Sequence, residues 1–141
     1  ADECGASSKA MIEAYTEAGL KPEDITYINA HGTSTHLNDM LETKAVKIAL
    51  GEEQARKVKI NSTKSMTGHL LGGAAAVEAV CALSIRDSFI HQTIGYTTPD
   101  PECDLDYCVD GPVEMPVNAA LSNSLGFGGH NATLCFKKCT D

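Results

Sequence analysis

The run LLGGAAAVEAVCAL at residues 70–83 constrains the fold more than any other segment. It is apolar all round, so as a helix it must be buried on most of its sides. Gly72, Gly73, Ala74, Ala75 and Ala76 let a second backbone approach closely, with some loss of helix propensity from the glycines. The run carries one charge, Glu78, and a carboxylate in such surroundings needs a partner. Lys64 is the candidate. Structural support and a direct catalytic role both fit such a pair at this level.

The flanking segments read as the layers this helix needs. Residues 7–20 place Met11, Ala14, Tyr15 and Ala18 at helical spacing, and Gly19 and Pro22 stop the helix. Residues 25–30 are a short β-rich run. Asp39 followed by Glu42 predicts a capping box opening a helix that runs to Leu50 and ends at Gly51. Residues 58–62 form a second strand. After residues 70–83 come an extended piece near Ile94, a long loop rich in Pro and Asp, a strand over 119–124, a glycine-rich turn and a last strand over 132–137. Strands alternating with helices predict one α/β layered domain over 1–141 with a mostly parallel sheet. No internal repeat or low-complexity segment interrupts it.

Charge and cysteine usage exclude several functions. The net charge of −8 argues against nucleic acid and anionic membrane as partners, because both require a basic surface. No apolar run is long enough to span a membrane. The start Ala-Asp-Glu-Cys-Gly is not a signal peptide, and without an initiator Met, Ala1 looks like a cut end. Residues 92–136 contain no Lys or Arg, while Asp100, Glu102, Asp104, Asp106, Asp110 and Glu114 crowd one stretch. This reads as a solvated acidic loop, since its spacing does not follow a calcium loop. The six cysteines contain no Cys-x-x-Cys pair, so they read as free thiols in a reducing cytoplasm rather than zinc ligands or disulfides.

Three segments each follow an expected strand: NAHGTST at 29–35, NSTKSMTGH at 61–69 and NSLGFGGHN at 123–131. Ligands in α/β sheets bind beyond the carboxyl ends of the strands, so His31, Lys64, His69 and Phe127 are expected to converge. Two neutral imidazoles aimed at one carbonyl oxygen would stabilise an enolate forming on it. The glycines around Phe127 suit an oxyanion hole made of backbone N–H groups, or a plain tight turn.

In these motifs the chain resembles the β-ketoacyl-acyl-carrier-protein synthases, most closely the type II bacterial elongation enzymes. HGTST, NSTKSMTGH and GFGGHN in this order carry the resemblance, and CDLDY at 103–107 is similar to a late loop of the family. The resemblance implies a thiolase-like α/β fold, here the C-terminal half, one of two βαβαβαββ units. It implies a reaction without a cofactor, in which malonyl-acyl carrier protein is decarboxylated and the carbanion attacks an acyl-cysteine. His31 and His69 would hold the malonyl thioester oxygen, Lys64 would be the active-site lysine and Glu78 its partner. The N–H of Phe127 would serve the oxyanion hole, with its ring as a gate. A monovalent cation would fall near Asn29, Glu78, Ser122 and Asn123. The family's cysteine nucleophile belongs to the other half, and none of the six cysteines here lies in its motif, so these 141 residues are expected to be inactive alone. His36 stands where the family usually has proline, as does Gln92. The expected partners are acyl carrier protein, the other half of the enzyme and a second copy in a homodimer. Lys44, Lys47, Arg56, Lys57 and Lys59 could face the acidic carrier. The alternatives are a non-catalytic fragment and a chain-length partner of a polyketide-type ketosynthase.

Overall fold

A computed structural model describes residues 3–139, so Ala1 lies outside the described residues. The chain runs through α1 (Glu3–Glu17), β1 (Tyr27–Asn29), α2 (His36–Leu50), α3 (Glu52–Ala55), β2 (Lys59–Asn61) and α4 (Lys64–Thr67). It continues through α5 (Ala74–Glu78), α6 (Leu83–Asp87), β3 (Phe89–Ile90), β4 (Val113–Glu114), β5 (Ala119–Gly126) and β6 (His130–Lys137). The main sheet has the order β2-β1-β5-β6; β2, β1 and β5 run parallel and β6 returns antiparallel to β5. Among the described residues no strand precedes α1, so the first strand of a βαβαβαββ unit is not part of this sheet.

Both faces of the sheet are covered, which explains why β1 is buried at every position rather than at alternate ones. The period-2 alternation sorts its side chains into two cores. Ile28, Ile60 and Leu121 meet Met11, Tyr15, Val46 and Leu50 from α1 and α2. Tyr27 and Ala120 point the other way, towards Cys81, Ile90, Cys108 and Val117.

Two expected elements differ. The segment at 70–83 is not one continuous α-helix: 3-10 turns at Leu71–Gly73 and Ala79–Ala82 alternate with α5 and α6. Ala74, Glu78, Cys81 and Ser84 are buried at helical spacing, while Leu70, Leu71, Val77, Val80 and Leu83 are exposed, Leu71 by 72%. Only one face of this apolar segment is packed. The glycines and the lack of contacts on the other face leave little to enforce regular α geometry. The second difference is the start of α2. Thr35 is its N-cap residue, Asp39 lies within its first turn, and no capping box joins Asp39 to Glu42. Glu42 is buried for another purpose.

The acidic stretch is largely exposed, as expected of a solvated loop, but several of its side chains pair with the basic face. Asp104 meets Lys47 at 2.6 Å and Arg56 at 3.0 Å, Asp106 meets Lys59, and Glu102 lies 3.9 Å from Lys44. The Asp106 carbonyl accepts from the Ile60 N–H at 2.9 Å, and the Tyr107 and Thr43 hydroxyls meet at 2.6 Å. Exposed ion pairs contribute less than about 1 kcal/mol each, so their joint effect is to hold this loop against α2 and β2.

No helix among the described residues is long and apolar enough to cross a membrane. The buried Tyr27 hydroxyl donates to Asn61 Oδ1 at 2.7 Å, bracing the end of β2. Tyr27→Phe leaves that oxygen short of a donor and is expected to destabilise the fold by about 1–3 kcal/mol. Urea unfolding would show this as a lower midpoint with an unchanged slope.

Candidate active site

The parallel pairing sets Asn29 beside Asn61 and Ser122, so β1 and β2 end side by side while β5 runs on to Gly126. Asn29 joins them: its Nδ2 donates to Ser122 at 3.1 Å, and its Oδ1 accepts from the Thr63 N–H at 2.9 Å and the Thr63 hydroxyl at 3.0 Å. Past β1, Gly32 has φ +44°, and a Cβ there would come within 2.6 Å of Ser62 Cβ. Only glycine fits this close approach of the two strand ends.

Glu42 secures the same turn. Its carboxylate is buried and accepts the His31 N–H at 2.9 Å, the Gly32 N–H at 3.0 Å and Asn123 Nδ2 at 3.1 Å. Burial raises its pKa, and these three donors act in the opposite direction. The sequence pattern suggested a cap; the structure gives Glu42 the role of orienting His31.

His31 is buried beside His69, with ring centroids 5.6 Å apart in an edge-on arrangement. His69 Nδ1 accepts the Leu71 N–H at 3.0 Å. That assigns the His69 proton to Nε2, leaving a neutral N–H donor. Leu71 makes this bond from a left-handed conformation, φ 50°, unfavourable for a residue with a side chain. Burial, then the Lys64 ammonium, then His69 lower the His31 pKa from 6.5 to about 4, so His31 is neutral at neutral pH. Its Nδ1 is buried without a partner among the described residues.

Lys64 and Glu78 form the ion pair anticipated from the sequence, at 2.5 Å, with side chains 5% and 0% exposed. Neither group has another hydrogen-bond partner among the described residues. Lys64 and His69 line a cleft of about 730 Å³, with Gly32, Ser62 and the segment around Thr93 and Tyr96.

The structure thus brings together four of the five candidate residues, His31, Lys64, His69 and Glu78. Phe127 stands in the β5–β6 turn, with Gly128 and Gly129 at φ near +80°; its side chain is 98% exposed and does not line the cleft. The residues near which a monovalent cation is expected, Asn29, Glu78, Ser122 and Asn123, are all buried. Ser122 meets Asn29, Glu78 meets Lys64, and Asn123 points to the opposite face of β5, towards Met11 and Glu42. Sequence reasoning also missed His91, whose Nε2 lies 3.0 Å from the Thr63 hydroxyl just before Lys64. A partner 28 residues away leaves no local signal.

Layered parallel strands with a histidine pair and a buried Lys–Glu pair at their carboxyl ends define a thiolase-like α/β domain. The model of the family described as beta-ketoacyl synthase, C-terminal domain, matches residues 1–97, and the chain belongs to that family. It is 54% identical over 132 residues to a 3-oxoacyl-[acyl-carrier-protein] synthase 2 of Staphylococcus aureus (strain COL), covering 93% of this chain and 32% of that protein. It is 53% identical over 133 residues to the protein of the same name from Synechocystis sp., covering 94% and 32%. A β-ketoacyl synthase from Burkholderia phymatum superposes with a TM-score of 0.89 at 32% identity, covering 97% of this chain and 33% of that one. A type II PKS ketosynthase in complex with its acyl-carrier protein superposes at 0.85 with 41% identity, covering 95% and 34%. The chain therefore spans about a third of the length of the curated relatives it matches, not half.

Two outcomes follow for the site. Glu78→Ala leaves the Lys64 ammonium buried and unpaired, and is expected to cost about 3–5 kcal/mol in chemical denaturation. For His31, the unfolded chain takes up a proton as pH falls through 6.5, while the folded chain resists until about 4. Stability is therefore expected to decline across that window, and the decline to be smaller in His31→Gln, measured by urea unfolding at several pH values.

Proposed function

We propose that this chain is the malonyl-handling part of a 3-oxoacyl-[acyl-carrier-protein] synthase of fatty-acid elongation. The observation that carries the proposal is the pair of neutral imidazoles, His31 and His69, meeting edge-on beside Lys64. Decarboxylation of a malonyl thioester releases CO2 and moves an electron pair onto the thioester oxygen as an enolate. Two N–H donors fixed in advance stabilise that oxygen more strongly as its charge grows, which lowers the barrier. Lys64, paired with Glu78, adds a positive potential that disfavours a proton on His31. The carbanion end of the enolate then attacks the carbonyl carbon of an acyl thioester; the new C–C bond replaces the acyl C–S bond, and the thiolate leaves.

We assign that acyl thioester to a cysteine outside these 141 residues. Burial pushes the Cys81 and Cys108 thiols up to about 11 and raises those of Cys103 and Cys135, which is the reverse of an activated nucleophile. Phe127 belongs in this proposal to the acyl side of the site, its N–H as an oxyanion donor and its ring as the gate. The exposed Leu70, Leu71, Val77, Val80 and Leu83 form an apolar face suited to the remainder of the enzyme. Acyl carrier protein is the proposed donor of both substrates, in a cytoplasmic homodimer. Because Lys44, Lys47, Arg56 and Lys59 already pair with acidic side chains, the basic docking surface is placed mainly outside this chain. The alternative of a chain-length partner draws on the likeness to the ishigamide ketosynthase/chain length factor, TM-score 0.88 at 34% identity.

In the protein that carries this chain, His31→Ala and His69→Ala are each expected to slow CO2 release from malonyl-acyl carrier protein by roughly 10²–10³-fold. Rates within a few-fold of the parent would refute the assignment and favour the chain-length-partner reading. The 141 residues alone are expected to gain no acyl group from acyl carrier protein, read by intact mass. They are also expected to self-associate through the apolar face, read by light scattering; a monodisperse monomer would contradict that.

A further inference from the structure

We infer that His36, Asp100 and Glu102 form a binding site for a divalent transition-metal ion, zinc by preference, at the mouth of the cleft. His36 opens α2, and Asp100 and Glu102 lie on the acidic loop facing it. His36 Nδ1 is 3.2 Å from Asp100 Oδ2, and His36 Nε2 is 3.7 Å from Glu102 Oε2. One ligand atom from each of the three residues can be chosen so that all lie within 4.8 Å of one another. Donors bound tetrahedrally to zinc at about 2.0–2.2 Å stand roughly 3.3–3.5 Å apart, so small side-chain rotations suffice. One imidazole with two carboxylates is a donor set zinc accepts, and three protein ligands leave a position for water.

The two carboxylates are already oriented for this. Asp100 Oδ1 accepts the Glu102 N–H at 2.9 Å, which leaves Oδ2 directed at His36. Glu102 Oε1 lies 3.9 Å from the Lys44 ammonium, which leaves Oε2 directed at His36. The bond to Asp100 Oδ1 is the kind of anchoring that outer-shell partners provide at metal sites, whereas the Lys44 ammonium competes with an ion for Glu102. His36 faces acidic groups through both ring nitrogens. His36 and Asp100 both line the cleft, so a bound ion would tie the acidic loop to α2 at its entrance.

The test is titration of the untagged protein with Co2+, followed by competition with Zn2+. Expected are one equivalent of Co2+ with a visible d–d spectrum and no thiolate charge-transfer band, full displacement by Zn2+, and binding at least tenfold weaker in His36→Gln and in Asp100→Asn. Lys44→Gln removes a competing cation and should tighten binding several-fold. All three side chains are on the surface, and circular dichroism would verify that each variant is folded. Absence of saturable binding, a thiolate band marking a cysteine site, or affinity unchanged in both His36→Gln and Asp100→Asn would overturn the site. Unchanged affinity in Lys44→Gln would overturn the assignment of Glu102 as a ligand.

Discussion

The arrangement depends on a buried charge that only one residue neutralises. Lys64 is 5% exposed and Glu78 is fully buried, and each is the other's only partner among the described residues. Desolvating two such groups is expensive, and a well-packed apolar pair would serve stability as well or better. The compensation lies in what the ion pair imposes nearby. Its ammonium lies close enough to His31 to disfavour a proton there, and its carboxylate fixes the otherwise apolar α5 against the strand ends. A histidine pair beside the Lys64 ammonium is a poor place for another cation and a good one for a developing anion.

Around this pair the scaffold works by restricting alternatives. Three donors from His31, Gly32 and Asn123 occupy Glu42, Asn29 ties the segment after β2 to Ser122 within β5, and Gly32 lets the two turns approach more closely than any side chain would permit. These contacts are buried and polar. Each is satisfied only in one arrangement, so the histidines are positioned before any substrate arrives. That is the condition under which hydrogen-bond donors lower a barrier without reorganising during the reaction.

Much of this was legible in the sequence. Strand ends followed by polar, histidine-bearing motifs located the site, because parallel α/β sheets bind ligands there. A single acid in an apolar run announced its need for a base, and Lys64 answers it. What the sequence concealed depends on distance. Glu42 lies three residues after Asp39 and imitates a capping box, yet its true partners lie 10, 11 and 81 residues away. The pairing of the acids at 100–106 with the bases at 44–59 was hidden because nothing local records that the loop folds back over α2. The segment at 70–83 read as a helix buried on most sides, but within this chain only one of its faces has something to pack against. Phe127 was reached through its motif, and within this chain its side chain is exposed on the β5–β6 hairpin and does not line the cleft.

The central claim is that His31 and His69 are neutral hydrogen-bond donors at neutral pH, His31 through burial and the nearby Lys64 ammonium, His69 through the Leu71 N–H that occupies its Nδ1. Nitrogen-15 NMR of the histidine rings reports this directly. The account predicts two neutral imidazoles, with the His69 proton on Nε2 and a bare Nδ1 accepting from Leu71. A doubly protonated ring at either position, or a His69 proton on Nδ1, would contradict it.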